Sequence, residues 1–353
     1  MTKNSFLLCF ALLSVASPSL AQDSITYQNT LIPIKRPQPL LADFPNYVAP
    51  ILEQNHYEAP ALVNDKGASI DVRAWRFSYN ARGIIEIPNK LNGSETAIVF
   101  VHPWGVDDGQ GWVTPEPAGV AFGGTPLKNE GILRHSREVI APFLEQLRPH
   151  VNTVLYSLPG EPDSARAAAY RTTAKSPSSA TRKLGRQRMI KTLKSFNYKA
   201  QPVPTSLELG RETPVVDYFR QFQGIDASPH YNGEDFWQLP IPVMNSIDVH
   251  DNDVVFFDNQ GYPELRAFLK KQGIRHILLV GYATDMCVCE TTAGYKNLRQ
   301  DFNVFLVGDA TQATHPANKN AAHATNQAIS YAALDLLITQ VSWITPPGKT
   351  KLK

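Results

Sequence analysis

Short apolar runs that recur from residue 96 onward constrain the fold of this chain more than any other feature of its sequence. They occupy residues 96–101, 151–155, 254–257, 276–280 and 304–307, and such runs are typical of strands buried on both faces of a parallel sheet. Helix-like stretches alternate with them, at residues 137–147, 263–272, 286–298 and 320–339. The alternation predicts βαβ units and hence an α/β fold with a mostly parallel, doubly wound sheet.

The first 21 residues have the pattern of a secretory signal peptide. A basic residue, Lys3, precedes an apolar run at residues 6–15, and small residues follow at Ser19 and Ala21. We expect cleavage after Ala21 and a periplasmic or secreted mature protein. Neither this run nor any later one has the roughly 18–20 apolar residues that a membrane-spanning helix needs, so we expect no membrane span.

The predicted mature chain divides into an N-terminal extension and a main domain. Residues 22–95 form the extension: proline is frequent up to residue 60, which favours an extended arm, and β-like runs at 70–77 and 83–87 predict a hairpin or small sheet. Residues 96–345 form the main domain, which a long insertion at about 158–249 interrupts. The insertion carries a basic cluster between Arg182 and Lys194, interpreted as a solvated helix face rather than as an anion-binding lid.

The net charge of the chain does not indicate nucleic-acid binding. The formal net charge is +2, and removal of residues 1–21, which contain one basic residue and no acidic one, lowers it to +1. A near-neutral chain offers no general electrostatic attraction for a polyanion. We therefore expect a small-molecule partner, and the sequence leaves a homo-oligomer open.

The cysteines of the chain point to a free thiol. Of the three, Cys9 lies in the predicted signal peptide, while Cys287 and Cys289 are only two residues apart. Two cysteines that close in sequence cannot easily form a disulfide on regular backbone. Because exported proteins usually pair their cysteines, a free thiol here is expected to be either buried or used for chemistry.

The residues before Cys287 predict a strand, a turn and a helix that present its thiol. Apolar residues 277–280 lead into Gly281, and a helix is predicted from Met286. The start of a helix favours thiolate, the nucleophilic form of cysteine, and the carboxyl ends of strands are where open α/β sheets bind ligands. Cys287 is therefore the candidate nucleophile, whereas Cys289 is interpreted as a core residue.

This segment resembles the isochorismatase-like cysteine hydrolases, a family that includes nicotinamidases and carbamoylsarcosine amidases. The resemblance rests on Gly-Tyr-Ala-Thr-Asp-Met-Cys-Val at 281–288, on Thr291 one turn later, and on Val-Gly-Asp-Ala at 307–310. It is strongest over residues 274–313 and extends by element order over residues 96–339. It implies a three-layer α/β/α fold, a covalent intermediate on Cys287, hydrolysis of an amide or related C–N bond, and a cis peptide bond within residues 282–284.

Two catalytic positions of the family hold other residues in this sequence. The resemblance places an Asp after the first core strand and a Lys after the strand that precedes the nucleophile strand, whereas His102 and Asp258 stand there. A cysteine, an imidazole that deprotonates it and a carboxylate that orients the imidazole form another familiar catalytic grouping. We interpret Cys287, His102 and Asp258 as an exchanged triad. The alternative is a catalytically silent binding protein of the same fold.

Further candidates lie in the loops expected to surround this triad. The residues predicted to bind substrate are Trp104, Asp107, Asp108, Thr284 and Tyr262, and either of the two aspartates is also a rival acid. No cofactor is expected. A metal is not expected either, because the nearest approach to the metal-binding pattern of nicotinamidases is His250 with Asp248 and Asp251, and spacing alone is weak evidence.

Overall fold

The computed structural model describes residues 24–28, 56–78, 83–110, 113, 126–196, 206–213, 239–313, 328–329 and 341–345. They fall into two units, a small one within residues 1–33 and 203–228 and a large one within residues 34–202 and 229–353. In the small unit, β1 (Ser24–Gln28) pairs antiparallel with β7 (Ser206–Gly210). The candidate catalytic residues all belong to the large unit.

The large unit is built on one sheet, in which the described residues contribute nine strands. The strands are β2 (His56–Glu58), β3 (Ile70–Ser78), β4 (Gly83–Leu91), β5 (Thr96–Val101), β6 (Thr153–Leu158), β8 (Val254–Phe257), β9 (His276–Tyr282), β10 (Asn303–Gln312) and β11 (Val341–Thr345). Their order is β2-β4-β3-β11-β10-β9-β5-β6-β8. Every pairing from β11 to β8 is parallel, while β3 runs antiparallel to both β11 and β4.

The helices of the large unit cover both faces of this sheet. They are α1 (Pro126–His135), α2 (Ala141–Leu147), α3 (Ser164–Ala169), α4 (Ser179–Ser195), α5 (Tyr262–Lys271), α6 (Cys287–Glu290) and α7 (Tyr295–Leu298). A single π-helical turn, Ser136–Ile140, joins α1 to α2. Local sequence sets several helix starts: the carboxylate of Asp163 accepts from the Ala165 and Arg166 N–H groups, and the Ser178 hydroxyl accepts from the Thr181 N–H.

The alternation of side chains along β5 divides the core into two layers. Ile98 and Phe100 pack in one apolar cluster with residues of α2. Ala97, Val99 and Val101 pack in the other cluster, with residues of α5, α6 and α7. Successive residues of a strand point to opposite faces, so a run that is apolar throughout serves two helical layers. The predicted three-layer α/β/α architecture is confirmed.

The predicted strands agree with the observed ones, apart from their ends. The run predicted at 151–155 forms β6 two residues later, and those predicted at 276–280 and 304–307 are longer, as β9 and β10. The expected hairpin is present, because β3 and β4 pair antiparallel from Ile70 opposite Leu91 to Ser78 opposite Gly83. These N-terminal strands join the main sheet through β11.

The helices differ more than the strands from those predicted. The helix expected at 137–147 begins instead at Pro126, as α1, and continues through the π-helical turn into α2. The single helix expected at 286–298 is wrong, since α6 and α7 are separated by residues 291–294. Most of the helix predicted at 320–339 lies outside the described residues, as do residues 1–21. No helix among the described residues combines the length and apolarity needed to cross a membrane.

Candidate active site

Three strand ends bring the predicted triad to one edge of the sheet. His102 follows β5, Asp258 follows β8, and Cys287 comes shortly after β9. β5 lies between β9 and β6, β6 lies next to β8, and all of these pairs are parallel. Their carboxyl ends therefore meet at the same edge, which is where open α/β sheets bind ligands.

His102 and Asp258 form a close, largely buried pair. The His102 Nε2 atom lies 2.7 Å from Asp258 Oδ2, and the exposed fractions of the two side chains are 9% and 15%. The His102 backbone has a positive φ of 50°, a conformation that is uncommon outside glycine. Its ring also lies against that of Trp104, with the ring centroids 5.4 Å apart. The imidazole is thus held on two sides.

The same imidazole lies within interaction range of the Cys287 side chain, which affects the pKa of His102. Since Nε2 is directed to Asp258, Nδ1 is the ring nitrogen that remains for the sulfur. Burial disfavours charge on the ring, but the charge of the Cys287 thiolate and the hydrogen bond to Asp258 outweigh it and raise the pKa of His102 to about 10. At neutral pH these effects favour the imidazolium form of His102.

The nucleophile turn differs from a simple helix start. Its peptide bond between Tyr282 and Ala283 is cis, as the resemblance implied. The N–H groups of Met286 and Val288 both donate to Ala283 O, at 3.1 Å, and Cys287 between them is the first residue of α6. α6 has only four residues, so the contribution of a helix dipole at Cys287 is smaller than the sequence predicted.

Gly281 is the residue that lets β9 approach β5 before this turn. Its φ is +119°, and a Cβ atom at this position would lie 2.2 Å from the Val101 carbonyl oxygen. No side chain fits at that distance, and residues other than glycine avoid this φ. The glycine therefore allows Tyr282 and the turn to follow directly beside the end of β5.

Lys128 is a charged residue near the site that the sequence analysis missed. It lies in α1, within electrostatic reach of both Asp285 and Cys287. Burial lowers the pKa of its ammonium group, against the opposing effect of those two negative charges. Nothing in the sequence around residue 128 marks it, because only the packing of α1 over the sheet edge brings it there.

His135, also in α1, is a second residue that the sequence did not indicate. Its Nε2 atom lies 2.7 Å from the Asp309 carbonyl oxygen and its Nδ1 atom 2.8 Å from the Tyr282 hydroxyl. Burial lowers the pKa of His135 despite the hydrogen bond to Asp309, which favours a neutral ring that donates through Nε2 and accepts through Nδ1. His135 thereby links the cis-peptide residue to α1 and β10.

The structure separates the predicted substrate-binding residues into two groups. Trp104 stacks near His102 and lies at the site. Thr284 is fully buried, and its hydroxyl lies 2.7 Å from that of Thr311. The Tyr262 hydroxyl donates to Asp301, which precedes β10 at the opposite edge of the sheet. Thr284 and Tyr262 are therefore engaged in internal hydrogen bonds rather than directed at the triad.

The two aspartates of the loop after β5 are also held by hydrogen bonds. Asp107 accepts from the side-chain amide of Asn129 and has a positive φ of 55°. Asp108 accepts from the Gln110 side chain and from the Asn245 N–H, each at 2.8 Å. Asp108 therefore fixes the loop, and the carboxylate that contacts His102 is that of Asp258 instead.

Neither cysteine of the segment forms a disulfide, which agrees with the expectation of at least one free thiol. Cys289 is 6% exposed and its thiol donates to Thr284 O at 2.9 Å, so its interpretation as a core residue is confirmed. Cys287 is only partly buried. Of this pair, Cys287 is thus the thiol that a ligand can reach.

The residues considered for metal binding do not form a convincing site. His250 lies 3.2 Å from Asp248, both side chains being at least half exposed, while Asp251 pairs with Arg182. Among the described residues, Asp65, Glu95 and His276 lie close enough to share an ion. The guanidinium of Arg275 already bridges Asp65 and Glu95, so this cluster has a cation of its own.

The fold and the site define an α/β protein with a thiol, an imidazole and a carboxylate grouped at the carboxyl edge of a parallel sheet. Residues 240–333 match the family model of the Isochorismatase domain. The match contains Asp258, Cys287 and the whole nucleophile turn, and it confirms that the chain resembles the isochorismatase-like hydrolases. No curated protein sequence matches the chain.

Solved structures of similar fold include a cysteine hydrolase from Pseudomonas syringae pv. phaseolicola 1448A, with 16% identity, a TM-score of 0.35, and coverage of 69% of this chain and 87% of that one. A pyrazinamidase/nicotinamidase from Streptococcus mutans UA159 has 14% identity and a TM-score of 0.31, with coverage of 70% and 99%. A nicotinamidase from Staphylococcus aureus has 11% identity and a TM-score of 0.32, with coverage of 71% and 99%. Similarity at this level carries no inference about substrate.

Proposed function

We propose that the protein is a cysteine hydrolase that cleaves a small amide or a related C–N bond through a covalent intermediate on Cys287. His102 acts as its acid and base, and Asp258 orients His102. The observation that carries the proposal is that one imidazole lies 2.7 Å from the Asp258 carboxylate and within interaction range of the Cys287 side chain. This is the arrangement that converts a weak thiol into a nucleophile and keeps a proton available for the leaving group.

The proposed reaction begins from the thiolate and imidazolium. The Cys287 sulfur attacks the carbonyl carbon, and His102 gives its proton to the leaving nitrogen as the C–N bond breaks, which leaves a thioester and a free amine or ammonia. A water molecule then attacks the thioester while the now neutral His102 accepts its proton. The acid product leaves, and the proton held by His102 restores the starting state.

The negative oxygen of the tetrahedral intermediates is assigned to the nucleophile turn. Within the described residues, the Cys287 N–H has no hydrogen-bond acceptor, while its neighbours Met286 and Val288 both donate to Ala283 O. A preorganised N–H at such a position stabilises an oxyanion. The ammonium of Lys128, in electrostatic reach of Cys287, supplies a further positive charge that suits the role of the lysine expected in the family.

The first experiment measures ammonia or amine release from a panel of small primary amides and N-carbamoyl compounds. The wild-type protein is expected to hydrolyse at least one of them, and Cys287→Ala is expected to abolish the reaction. Cys289→Ser is the matched control, because it keeps a hydrogen-bond donor to Thr284 O in the core. Mass spectrometry of protein quenched during turnover is expected to detect an acyl group on Cys287.

A contrary result would favour the alternative of a silent binding protein. If no amide is hydrolysed, and Cys287 reacts with iodoacetamide only at the pH of an ordinary thiol, the site does not activate its cysteine. Binding without turnover would then be sought by calorimetry.

We also propose that the protein is exported, on the strength of its first 21 residues. Export predicts that the mature protein begins at Gln22 and is recovered from the periplasm or the medium. N-terminal sequencing of the protein made with its full sequence tests this. A mature protein that retains Met1 and stays with the cell interior would refute export and leave the proposed chemistry untouched.

A further inference from the structure

Ser157, near the end of β6, contacts both partners of the histidine and carboxylate pair. Its hydroxyl donates to Asp258 Oδ1 at 2.6 Å, while Asp258 Oδ2 lies 2.7 Å from His102 Nε2. Its carbonyl oxygen accepts the His102 N–H at 2.9 Å. The residue is fully buried, so the hydroxyl is not shared with solvent.

The strand order explains why one residue reaches both partners. β6 lies between β5 and β8, and Ser157 is opposite Val101 on one side and Phe256 on the other. His102 immediately follows Val101, and Asp258 comes two residues after Phe256. Ser157 is therefore set by register between the two strand ends that carry the imidazole and the carboxylate.

A carboxylate held by one oxygen alone is free to turn about its last side-chain torsion, which has a broad energy minimum. Donation by Ser157 to Oδ1 fixes the plane of the Asp258 carboxylate, and Oδ2 is then directed at His102. Hydrogen bonds to a charged group are the stronger kind and are costly to lose when buried. Fixing the carboxylate in turn fixes the imidazole beside Cys287.

We infer that Ser157 is a positioning residue of the catalytic site, which acts on Cys287 through Asp258 and His102. The inference rests on the proposed function for its consequence in catalysis. Its direct consequence is a more reactive Cys287, which is measurable without any substrate.

The test measures the rate constant for alkylation of Cys287 by iodoacetamide at pH 6, read at that residue by peptide mass spectrometry. At this pH an ordinary thiol is almost wholly protonated, whereas one paired with an imidazolium reacts as thiolate. In Ser157→Ala we expect the rate constant to fall about 10- to 100-fold, the size expected for loss of one hydrogen bond to a charged group. An unchanged rate constant would overturn the inference.

A matched pair of variants guards against a folding defect. The side chains introduced by Ser157→Thr and Ser157→Val have nearly the same shape, but only threonine keeps the hydroxyl. Cys287 is therefore expected to be alkylated faster in the threonine variant than in the valine variant. Equal rates in this pair would count against Ser157 even if Ser157→Ala did not fold. Thr96→Val is the control elsewhere, because it removes a buried hydroxyl that donates to Asn92 O at the other end of β5 and is expected to leave alkylation unchanged.

A double substitution distinguishes action through Asp258 from a general structural role. In an Asp258→Ala background the carboxylate is gone, so Ser157→Ala is expected to have no further effect on the alkylation rate. A further fall of similar size would refute positioning through Asp258. Because alkylation needs no amide, failure of the proposed hydrolase activity leaves this outcome interpretable.

Discussion

At the scale of single residues, the chemistry of the site depends on how His102 balances burial against charge. The ring is almost fully buried, which opposes protonation, but the Cys287 thiolate and Asp258 together raise the pKa of His102 to about 10. His102 and Asp258, which stand where the resemblance places other residues, therefore include a group that can carry a proton. They supply it as an imidazolium rather than as a carboxylic acid, which makes the thiol and the histidine interdependent.

This interdependence predicts that removal of the thiol lowers the pKa of His102. The charge of Cys287 is the largest of the effects that raise it, so in Cys287→Ala the opposing effect of burial gains weight. Histidine ring NMR across a pH series would record the change, with Cys289→Ser as the control that keeps the wild-type value. The same His102 titration in Cys287→Ala as in the wild type would contradict an ion pair.

A second residue-scale prediction concerns the pH dependence of turnover. In the proposed mechanism the protonated His102 is the acid for the leaving nitrogen, and this form is lost as pH rises through about 10. Amide hydrolysis is therefore expected to fall above that pH rather than above 6.5, the ordinary histidine value. Activated esters, whose leaving groups need less proton donation, are expected to decline less steeply. A fall in amide hydrolysis centred near pH 6.5 would be inconsistent with a protonated His102.

At the scale of elements, the nucleophile segment follows its sequence in some respects and departs from it in others. The apolar run that forms β9 and the glycine near its end were predictable from the sequence, because burial and turn geometry act locally. The break between α6 and α7 could not be predicted from the sequence. The break comes at Thr291, whose backbone is extended with a ψ of −179°. Its hydroxyl also bonds to the Cys287 carbonyl oxygen, and such bonding by a threonine side chain has no fixed signature in sequence.

The site itself was predictable only in part for a related reason. His102, Asp258 and Cys287 follow strand ends, and parallel strands bring such positions to one edge. Lys128, His135 and Ser157 reach the site through helix packing or strand order, neither of which is fixed by local sequence. The candidates Thr284 and Tyr262 were chosen by proximity in sequence, and their hydrogen bonds are internal.

The close approach of β9 to β5 gives a prediction at this scale. Gly281→Ala would bring a Cβ atom to 2.2 Å from the Val101 carbonyl oxygen at a φ of +119°, and is expected to lower the free energy of unfolding by about 2–4 kcal/mol. Gly273→Ala is the control for φ alone, since that residue has a φ of +74° and no atom within 4 Å of the added carbon. Its expected cost is about 1–2 kcal/mol. Urea unfolding would compare the two, and equal losses would argue against the steric contact.

At the scale of the whole molecule, the edge of the sheet opposite the site is held by a polar network. Asp65 lies in the loop before β3, and its carboxylate bonds to Arg275 and to the buried ring of His276 at the start of β9. Arg275 also bonds to Glu95, just before β5. The network joins the N-terminal strands to the centre of the sheet, so the same hydrogen bonds and ion pairs stabilise both the extension and the main domain.

This network predicts lower stability in mild acid. Burial lowers the pKa of His276 below its ordinary value, against the opposing effect of Asp65, so below pH 6.5 the unfolded chain binds more protons than the folded one. The free energy of unfolding is therefore expected to keep its highest value above pH 6.5 and to fall as pH drops through the pKa of His276 in the folded protein. Chemical denaturation at pH 7 and pH 5 would measure this, and His276→Gln should reduce the difference. The control is His250→Gln, at an exposed histidine, which should keep the wild-type difference. An equal loss of unfolding free energy between pH 7 and pH 5 in the wild type and in His276→Gln would contradict the assignment to His276.

The position of β11 has a consequence for how the polypeptide is made. Residues 341–345 fill the gap between β3 and β10, so during synthesis each of these two strands keeps one edge open until β11 has also left the ribosome. Open strand edges recruit other chains, and truncation before residue 341 is expected to yield aggregates instead of a smaller soluble protein.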